Sequence, residues 1–253
     1  KEMKEYRADL HIHTLLSPCG DLDMSPVNII SEALRKGLDI IGITDHNSTR
    51  QASVVGRLGE KQGILVMRGA EVTTKEEVHC LAFFEKDDTL EIFQEFLDDN
   101  IPDFTNNPLL FGDQVAVDEN EVIVYTENRL LINATVISIS ELGKWVREHN
   151  GIFIPAHIDR MKNSIYSQLG FLPDDLVADA LEVSKRTSPG SFASLHPEIR
   201  QFTLVTNSDS HYPQAIGRPF NTFMMKELTF EEVRMVLKGE NGRKIIDNAD
   251  TGA

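Results

Sequence analysis

Residues 8–14 read Ala-Asp-Leu-His-Ile-His-Thr, a stretch in which polar and apolar side chains alternate. Alternation with a period of two predicts a β-strand, so Asp9, His11 and His13 lie on one face and the two aliphatic residues between them lie on the other. Two imidazoles on one face can bind one metal ion. Because an HxH pattern alone is more often a pair of surface or core histidines, its interpretation depends on the rest of the chain.

Side chains that can bind metal ions also stand at the ends of five other predicted strands. They are Thr44-Asp45-His46, Gly69-Ala70-Glu71, Val78-His79, Pro155-Ala156-His157 and Asn207-Ser208-Asp209-Ser210-His211. Six of the eight histidines lie at such positions, and only His149 and His196 do not. In a parallel barrel the C-terminal strand ends converge on one mouth, where the active sites of such folds are built. We therefore expect these distant residues to form one multinuclear metal site.

The segments between these ends predict an α/β fold, because short apolar β-rich runs alternate with helical patterns. Strands are predicted near residues 8–13, 40–44, 64–72, 79–84, 151–156, 180–183, 204–207 and 221–225. We interpret residues 8–240 as one barrel domain and residues 1–7 and 241–253 as terminal segments.

Residues 101–133 break this alternation and are interpreted as an insertion. A β-hairpin is predicted within it, formed by residues 122–125 and 130–132 about a polar turn. Long loops of compact domains are commonly lids or binding segments. We expect this one to reach the metal-lined mouth and help choose the substrate; a decorative or oligomerising hairpin is the alternative.

Composition narrows the functional classes. The chain has 253 residues, of which 41% are hydrophobic and 26% charged, as in globular proteins, and it has no apolar run long enough to span a membrane. Twenty-five basic and forty acidic residues give a net charge of −15, which disfavours a nucleic-acid polymer as partner. Two cysteines and the lack of a recognisable signal peptide make the cytoplasm the expected compartment. The oligomeric state stays open.

The ordered motifs resemble the PHP (polymerase and histidinol phosphatase) superfamily of metal-dependent phosphoesterases. They read DLHIHT (residues 9–14), TDHN (44–47), GAE (69–71) followed by His79, PAH (155–157) and SDSH (208–211). The likeness spans residues 8–238. It implies a distorted (β/α)7 TIM-like barrel, in which the predicted strand 221–225 is an edge or antiparallel addition.

The resemblance also implies two or three divalent metal ions. The implied ligands are His11, His13, Glu71 and Asp209 for the first ion, Glu71, His79 and His157 for the second, and His46, His211 and a residue shortly after the HxH motif for the third. The loop that supplies this last residue is longer than in the common pattern. Counting back from Pro26 favours Asp21, and Cys19 is the alternative, whose thiolate would favour zinc over manganese.

Further residues are candidates for supporting roles. Asp9 and Asp45 stand beside ligand histidines in the sequence and are candidates to accept the second ring N–H. A phosphorylated substrate would also need cations near the metal ions. The candidates that follow predicted strand ends are Arg160, Lys185, Arg186 and Arg218. Glu182 is a candidate to orient one of them.

Imidazole and carboxylate donors suit zinc, manganese or ferrous iron, and the lack of a cysteine cluster favours a catalytic over a structural site. Clustered ions can bind phosphate oxygens and supply hydroxide at neutral pH. We therefore expect hydrolysis of a phosphate ester in a small phosphorylated metabolite, nucleotide-like or sugar-like, by metal-activated hydroxide. The alternatives are an amidohydrolase or lactonase on the same barrel, and a non-catalytic metal-binding interaction module.

Overall fold

The computed structural model describes residues 2–246. Within this range the strands are β1 (Lys4–Ile12), β2 (Ile40–His46), β3 (Leu65–Thr73), β4 (His79–Phe84), β5 (Val115–Val117), β6 (Ile123–Thr126), β7 (Ile152–Pro155), β8 (Leu181–Glu182), β9 (Leu204–Val205), β10 (Asn221–Met225) and β11 (Lys244–Ile246). The helices are α1 (Pro26–Arg35), α2 (Ala52–Lys61), α3 (Asp87–Asn100), α4 (Pro108–Phe111), α5 (Ile139–Glu148), α6 (Ile165–Leu169), α7 (Pro189–Leu195) and α8 (Phe230–Lys238). None of the helices within the described range is long and apolar enough to cross a membrane. The cytoplasmic location stays a prediction.

Seven strands form one curled sheet in the order β11-β10-β1-β2-β3-β4-β7. β8 and β9 form a separate parallel pair. This pair continues the curl, because Ile158 N–H donates to Glu182 O at 2.8 Å after β7, and Ser210, after β9, forms a parallel bridge with Ile12 of β1. The predicted α/β class is confirmed as a fold built on a curled sheet.

The strands do not all point the same way, as a regular (β/α) barrel would require. β1, β2 and β3 are parallel, whereas β4 runs antiparallel to both β3 and β7. The reason is the connection between β3 and β4: residues 74–78 form a tight turn in which Thr74 N–H donates to Val78 O at 2.9 Å, and a parallel connection needs about a dozen residues or more. As a result His79 begins β4 opposite Thr73, at the end where β3 finishes.

The ends of the described chain belong to this sheet. β10 pairs antiparallel with β1, as the resemblance implied for residues 221–225, and β11 covers its other edge. The expected terminal segments 1–7 and 241–253 therefore contribute to β1 and β11. Lys1 and residues 247–253 lie outside the described residues.

Helices cover the sheet through apolar stripes. In α1, the Ser25 side chain accepts a backbone N–H of the first turn, and Pro26 occupies the first position, where its missing N–H is not needed. The stripe formed by Ile29, Ile30 and Ala33 is buried together with Ile41 and Ile43 of β2. This packing holds the β2 end, and the histidine that closes it, in a fixed position.

The insertion does contain a hairpin, but not the predicted one. β5 pairs with β6, and residues 130–132 are not in the pair. Asp118 forms the turn, since its carboxylate accepts from the N–H groups of Asn120 at 2.8 Å and Val122 at 3.0 Å. The expected partner segment is instead held by a side chain, because Leu131 N–H donates to Gln114 Oε1 at 2.9 Å. The alternation of hydrophobic and polar residues cannot predict a hydrogen bond to a side chain, so the pattern of residues 130–132 was read as a strand.

The hairpin packs at the end of the sheet where β2 finishes. Asn47, the residue after β2, donates from Nδ2 to Leu131 O at 2.7 Å. Gln51 forms two hydrogen bonds with the backbone of Val117, at 2.8 and 2.9 Å. Residues 101–133 therefore lie beside the end of the sheet that carries the histidines, and their role in choosing a substrate stays a prediction.

Candidate metal centre

The structure brings six histidines and two carboxylates from across the chain to one end of the sheet. They are His11, His13, His46, Glu71, His79, His157, Asp209 and His211. Parallel strands explain most of this convergence, and the antiparallel β4 adds the histidine at its first residue. The eight side chains lie on or just after six different strands, β1, β2, β3, β4, β7 and β9. The fold of the chain therefore brings them together.

Glu71 stands at the centre of this cluster and is 1% exposed. Each of its oxygens lies near imidazole nitrogens. Oε1 is 2.9 Å from His79 Nδ1, 3.0 Å from His157 Nε2 and 3.4 Å from His11 Nε2, and Oε2 is 3.2 Å from His13 Nε2 and 3.3 Å from His46 Nδ1. A carboxylate surrounded in this way can bridge two cations.

Asp209 closes the other side of the HxH pair. Its Oδ1 lies 3.4 Å from His11 Nε2 and 3.3 Å from His13 Nε2. Its Oδ2 forms an ion pair with Arg160 Nη2 at 2.6 Å. The carboxylate therefore faces the two histidines with one oxygen and the partly exposed side chain of Arg160 with the other.

The donor set fits divalent cations. The Nε2 atoms of His11 and His13 face each other at 3.2 Å, next to carboxylate oxygens on both sides. The Nδ1 atoms of His46 and His157 are buried and have no hydrogen-bond partner among the described residues. Three groups have ligand atoms within 4.8 Å of one another: His11, His13 and Glu71; His46, Glu71 and His79; and His13, Cys19, His46 and His211. Buried nitrogens and carboxylates in this arrangement are typical ligands of zinc, manganese and iron.

Nearby carboxylates raise the pKa values of two of these histidines, His11 and His13. Burial lowers the pKa of His11, but the carboxylates of Glu182, Glu71 and Asp209 outweigh it and raise this pKa well above its usual value. Burial also lowers the pKa of His13, and its hydrogen bonds to Asp209 and Glu71 raise it to about 9. Without a cation, protons on this pair compensate the carboxylates.

The pKa values of two other histidines shift the other way. Burial and the charge of His13 lower the pKa of His46 well below its usual value, and the same two causes lower the pKa of His211 to about 4. Burial raises the pKa of Glu71, but His79 and other imidazoles outweigh it and keep this carboxyl ionised. Neutral imidazoles and an ionised carboxylate are the states that bind metal ions.

Glu182 supports the centre in a way that the sequence did not indicate. Its oxygens lie 3.0 and 3.1 Å from His11 Nδ1, and it also accepts from the N–H of His157 at 3.0 Å and from Asn207 Nδ2 at 2.7 Å. It therefore orients a histidine rather than a substrate-binding cation. The available signal was its place at the end of a predicted strand, next in order after the strand of His157.

Asp9 and Asp45 do not contact an imidazole, contrary to expectation. Asp9 accepts the backbone N–H groups of Ser208 at 3.0 Å and Gly217 at 2.7 Å. Nearness in the sequence to a histidine did not predict this, because these backbone N–H groups occupy the Asp9 carboxylate.

Asp45 instead fixes the loop that follows β1. It accepts from the backbone N–H and the hydroxyl of Thr14 and from the hydroxyl of Ser17, each at 2.7 Å. Ser17 Oγ in turn lies 3.0 Å from His13 Nδ1. Asp45 therefore acts on His13 through one hydroxyl group.

Of the four candidate cations, two lie near the centre. Arg160 pairs with Asp209. Lys185 Nζ donates to the carbonyl of Ser208, the residue before Asp209, at 2.9 Å. Arg186 is exposed, and its backbone N–H donates to Ser184 Oγ.

Arg218 is exposed and lies near Glu32 and Lys36 at α1, where its charge acts on both groups. The structure does not bring it to the histidine cluster. Its sequence position after His211 was misleading, because the chain turns away through the short helix Pro213–Ala215.

The loop after β1 places Cys19, and not Asp21, among the clustered groups. Asp21 is exposed, and its Oδ1 accepts the N–H of Asp23 at 2.9 Å. Cys19 has its sulfur within 4.8 Å of nitrogens of three histidines. The residue count from Pro26 favoured Asp21 instead. It was misleading because the longer loop forms a turn within residues 17–20.

A family model described as the PHP domain matches residues 9–172. The chain belongs to the PHP domain family. It is 29% identical to the uncharacterized protein YqxK of Bacillus subtilis over 97% of this chain and 65% of that protein.

Solved structures share the fold of this PHP domain. The lesion-specific endonuclease Q of Pyrococcus furiosus superimposes with a TM-score of 0.72 at 24% identity, over 96% of this chain and 58% of that one. A structure of endonuclease Q in complex with a 27-mer duplex substrate, with an abasic lesion at the active site, gives a TM-score of 0.69 at 24% identity over 96% and 58% of the two chains. A protein from Bifidobacterium adolescentis described as a metal-dependent phosphoesterase gives 0.52 at 21% identity, over 81% and 87%. The chain thus spans less than two thirds of YqxK and of endonuclease Q.

The endonuclease Q complex corrects one expectation. The net charge of −15 disfavoured a nucleic-acid polymer as partner, and this inference was wrong, because the same fold binds a DNA duplex in that complex. Net charge averages over the whole surface, whereas binding depends on the local field at the site. Arg160 and Lys185 lie near the histidine cluster, where any bound cations would add positive charge.

Proposed function

We propose that this PHP domain is a metal-dependent phosphoesterase that cleaves phosphodiester bonds in nucleic acid. The observation that supports the hydrolytic part is the arrangement of five imidazoles around the buried carboxylate of Glu71, with Asp209 completing it. Such a set of donors is far larger than a structural ion needs. It is typical of sites where several ions act on one substrate.

The residues of the chain have separable roles in this proposal. Divalent ions held there would polarise the phosphate and acidify a water molecule. Glu182 holds His11 in one orientation, and Asp45 acts on His13 through Ser17. Arg160, which is 31% exposed, is near enough to contact a non-bridging phosphate oxygen when its pair with Asp209 opens.

The surroundings of the centre favour a polymer over a small substrate. Met161, next to Arg160, is 94% exposed, and Tyr212, next to His211, is 52% exposed. Apolar and aromatic side chains beside a cationic phosphate site are the combination that binds bases and backbone together. Endonuclease Q, which shares this fold over 58% of its chain, binds a duplex substrate, and this likeness supports a polymeric partner.

A substrate panel tests the proposal. Metal-free protein is loaded separately with zinc, manganese and iron, and is assayed on single-stranded and duplex DNA, RNA, small phosphomonoesters, amides and lactones. We expect metal-dependent cleavage of an oligonucleotide, lost in His79→Ala and kept in the matched control His196→Ala, which removes one of the two histidines outside the cluster. Turnover of phosphomonoesters alone would indicate a phosphatase, and turnover of amides or lactones alone an amidohydrolase. Bound metal without turnover would indicate an interaction module.

A further inference from the structure

We propose that a nucleic-acid strand runs over the two loops that follow β7 and β8, where Lys162 and Arg186 bind its phosphates on one side of the histidine cluster. We call residues 156–164 and 183–188 the cationic loops. The inference rests on the proposed function, since it gives the path of the polymer that this function requires.

The acidic residues of the chain are concentrated in its first half. Residues 1–127 contain 25 acidic and 11 basic residues, whereas residues 128–253 contain 15 acidic and 14 basic residues. The net charge of −15 therefore comes almost entirely from the first half. Because like charges repel, a polyanion reaches the cluster most readily over elements of the second half, which include both cationic loops.

The cationic loops themselves carry almost no acidic side chains. Residues 160–173 and 183–197 contain no aspartate or glutamate. The one acidic residue of the loops is Asp159, whose carboxylate accepts from the backbone N–H of Ser184 at 2.6 Å and from its hydroxyl at 2.7 Å. These two hydrogen bonds join the loops side by side. The cations of both loops therefore lie on adjoining segments.

The first cationic loop is attached to the histidine cluster at two points. Arg160 Nη2 pairs with Asp209 at 2.6 Å, and the carbonyl of Asn163 accepts the backbone N–H of His79 at 3.0 Å. Lys162 lies between these two contacts and is exposed. Its side chain therefore begins at the edge of the cluster.

The second cationic loop follows Glu182, which contacts His11. Lys185 Nζ donates to the carbonyl of Ser208 at 2.9 Å, so this loop is held against the segment of Asp209. Arg186 is the next residue and is exposed. It continues the line of cations away from the cluster.

The charges of Lys162 and Arg186 are available to a ligand. Neither side chain forms a hydrogen bond or an ion pair with another residue between positions 2 and 246. A phosphate oxygen can therefore bind either cation without breaking an existing contact. Lysine and arginine are the side chains that most often bind phosphate in this way.

The insertion, which packs at the end of β2, has the opposite charge. Residues 101–133 contain six acidic residues and one basic residue. Such a surface repels phosphates, although the exposed Leu109 and Leu110 can contact uncharged bases. The phosphate contacts of the strand therefore lie on the side of the cationic loops.

The salt dependence of DNA binding tests this path. A fluorescent single-stranded DNA of about 20 nucleotides is titrated with the metal-free full chain, in which no cleavage competes, and anisotropy gives Kd at several salt concentrations. We expect Lys162→Ala with Arg186→Ala to raise Kd about five- to thirtyfold at low ionic strength. The slope of log Kd against log salt concentration should fall by about 1.4, since each phosphate contact to a single strand contributes ~0.7.

The matched control is Arg35→Ala with Lys144→Ala, which removes an exposed arginine of α1 and an exposed lysine of α5. Both double variants change the net charge by the same amount, so a difference between them reports where the strand lies. Equal Kd values and slopes in the two double variants, or a wild type that does not bind at low ionic strength, would overturn the proposal.

A third double variant tests whether the strand avoids the insertion. Asp103→Asn with Asp113→Asn should leave the salt slope unchanged, because no phosphate lies there; a slope that changes as much as in the variant of the cationic loops would overturn the proposal. Failure of the proposed function is distinguishable. A chain that binds DNA through the cationic loops but cleaves no oligonucleotide when loaded with metal refutes only that function, and cleavage with equal slopes refutes only the path.

Discussion

At the residue scale, the candidate metal centre depends on groups that are not candidate ligands themselves. Glu182→Gln should lower metal affinity by about ten- to a hundredfold, because it removes the charge that orients His11 through Nδ1. Competition with a chromophoric zinc chelator measures the affinity. Asp179→Asn is the control, since this half-buried carboxylate accepts from Phe153 N–H at 2.8 Å, away from the cluster. Equal affinities in the wild type and Glu182→Gln would show that Glu182 has no such role.

The same histidines make the metal-free protein sensitive to pH. The pKa of His13 is raised from 6.5 to about 9 in the folded state, so its proton stabilises the fold fully below pH 6.5, and this contribution is lost as the pH rises through 9. His46 and His211, whose pKa values are lowered, affect stability only below about pH 6.5.

The free energy of unfolding of metal-free protein should therefore fall between pH 6.5 and 9, as measured by urea denaturation. Metal affinity should rise over the same window, because binding displaces protons from His11 and His13. Stability that stays constant or increases with pH in this window, in the absence of metal, would contradict the charge assignment.

At the element scale, most strands could be predicted from the sequence. The antiparallel direction of β4 and the pairing of β5 with β6 were not predicted. Alternation and apolar runs located β1, β2, β3, β4 and β7, and with them the clustered histidines and Glu71 at or just beyond their ends. The reversal of β4 depends on the short turn at residues 74–78. The short gap between the predicted strands 64–72 and 79–84 already indicated it, because a parallel connection needs about a dozen residues or more. Whether Cys19 or Asp21 lies at the histidine cluster depends on a loop conformation fixed by Thr14, Ser17 and Gly20. The number of residues between motifs does not determine this conformation.

The insertion gives a prediction about substrate contact. Leu109 and Leu110 of α4 are 97% and 74% exposed, and the nearby Gly112 approaches Pro18 of the Cys19 loop. Leu109→Ser with Leu110→Ser should raise KM for an oligonucleotide about three- to tenfold and leave KM for a small diester, metal content and stability unchanged. The control is Leu195→Ser, which alters a residue of similar exposure on α7.

Steady-state kinetics on both substrates decide this point, and equal effects on the two would remove the insertion from the substrate site. Replacement of the whole insertion by a linker would be less informative. Val115, Val117 and Leu131 are buried, so their loss would also destabilise the core.

At the scale of the whole molecule, the arrangement of charge matters more than its sum. A chain with a charge of −15 must bind a polyanion through local cations. Arg160→Ala should raise KM for an oligonucleotide about ten- to a hundredfold, because a charge-assisted phosphate contact is lost. Arg218→Ala, which removes a cation at α1, is the matched control. Metal content is measured in the same samples, because Arg160 pairs with Asp209 and its loss could also affect metal binding. Equal KM values for the two variants would contradict the placement of the phosphate site.

The most direct test of the central claim measures bound metal and phosphodiester cleavage in the same preparations of wild type, His11→Ala and Asp209→Ala. We predict two or three divalent ions per wild-type chain. Both variants should lose metal and cleavage together while their far-ultraviolet circular dichroism stays that of the wild type, because the core is formed by residues such as Leu10 and Ile43. A variant that keeps the full metal count and full cleavage would contradict the account.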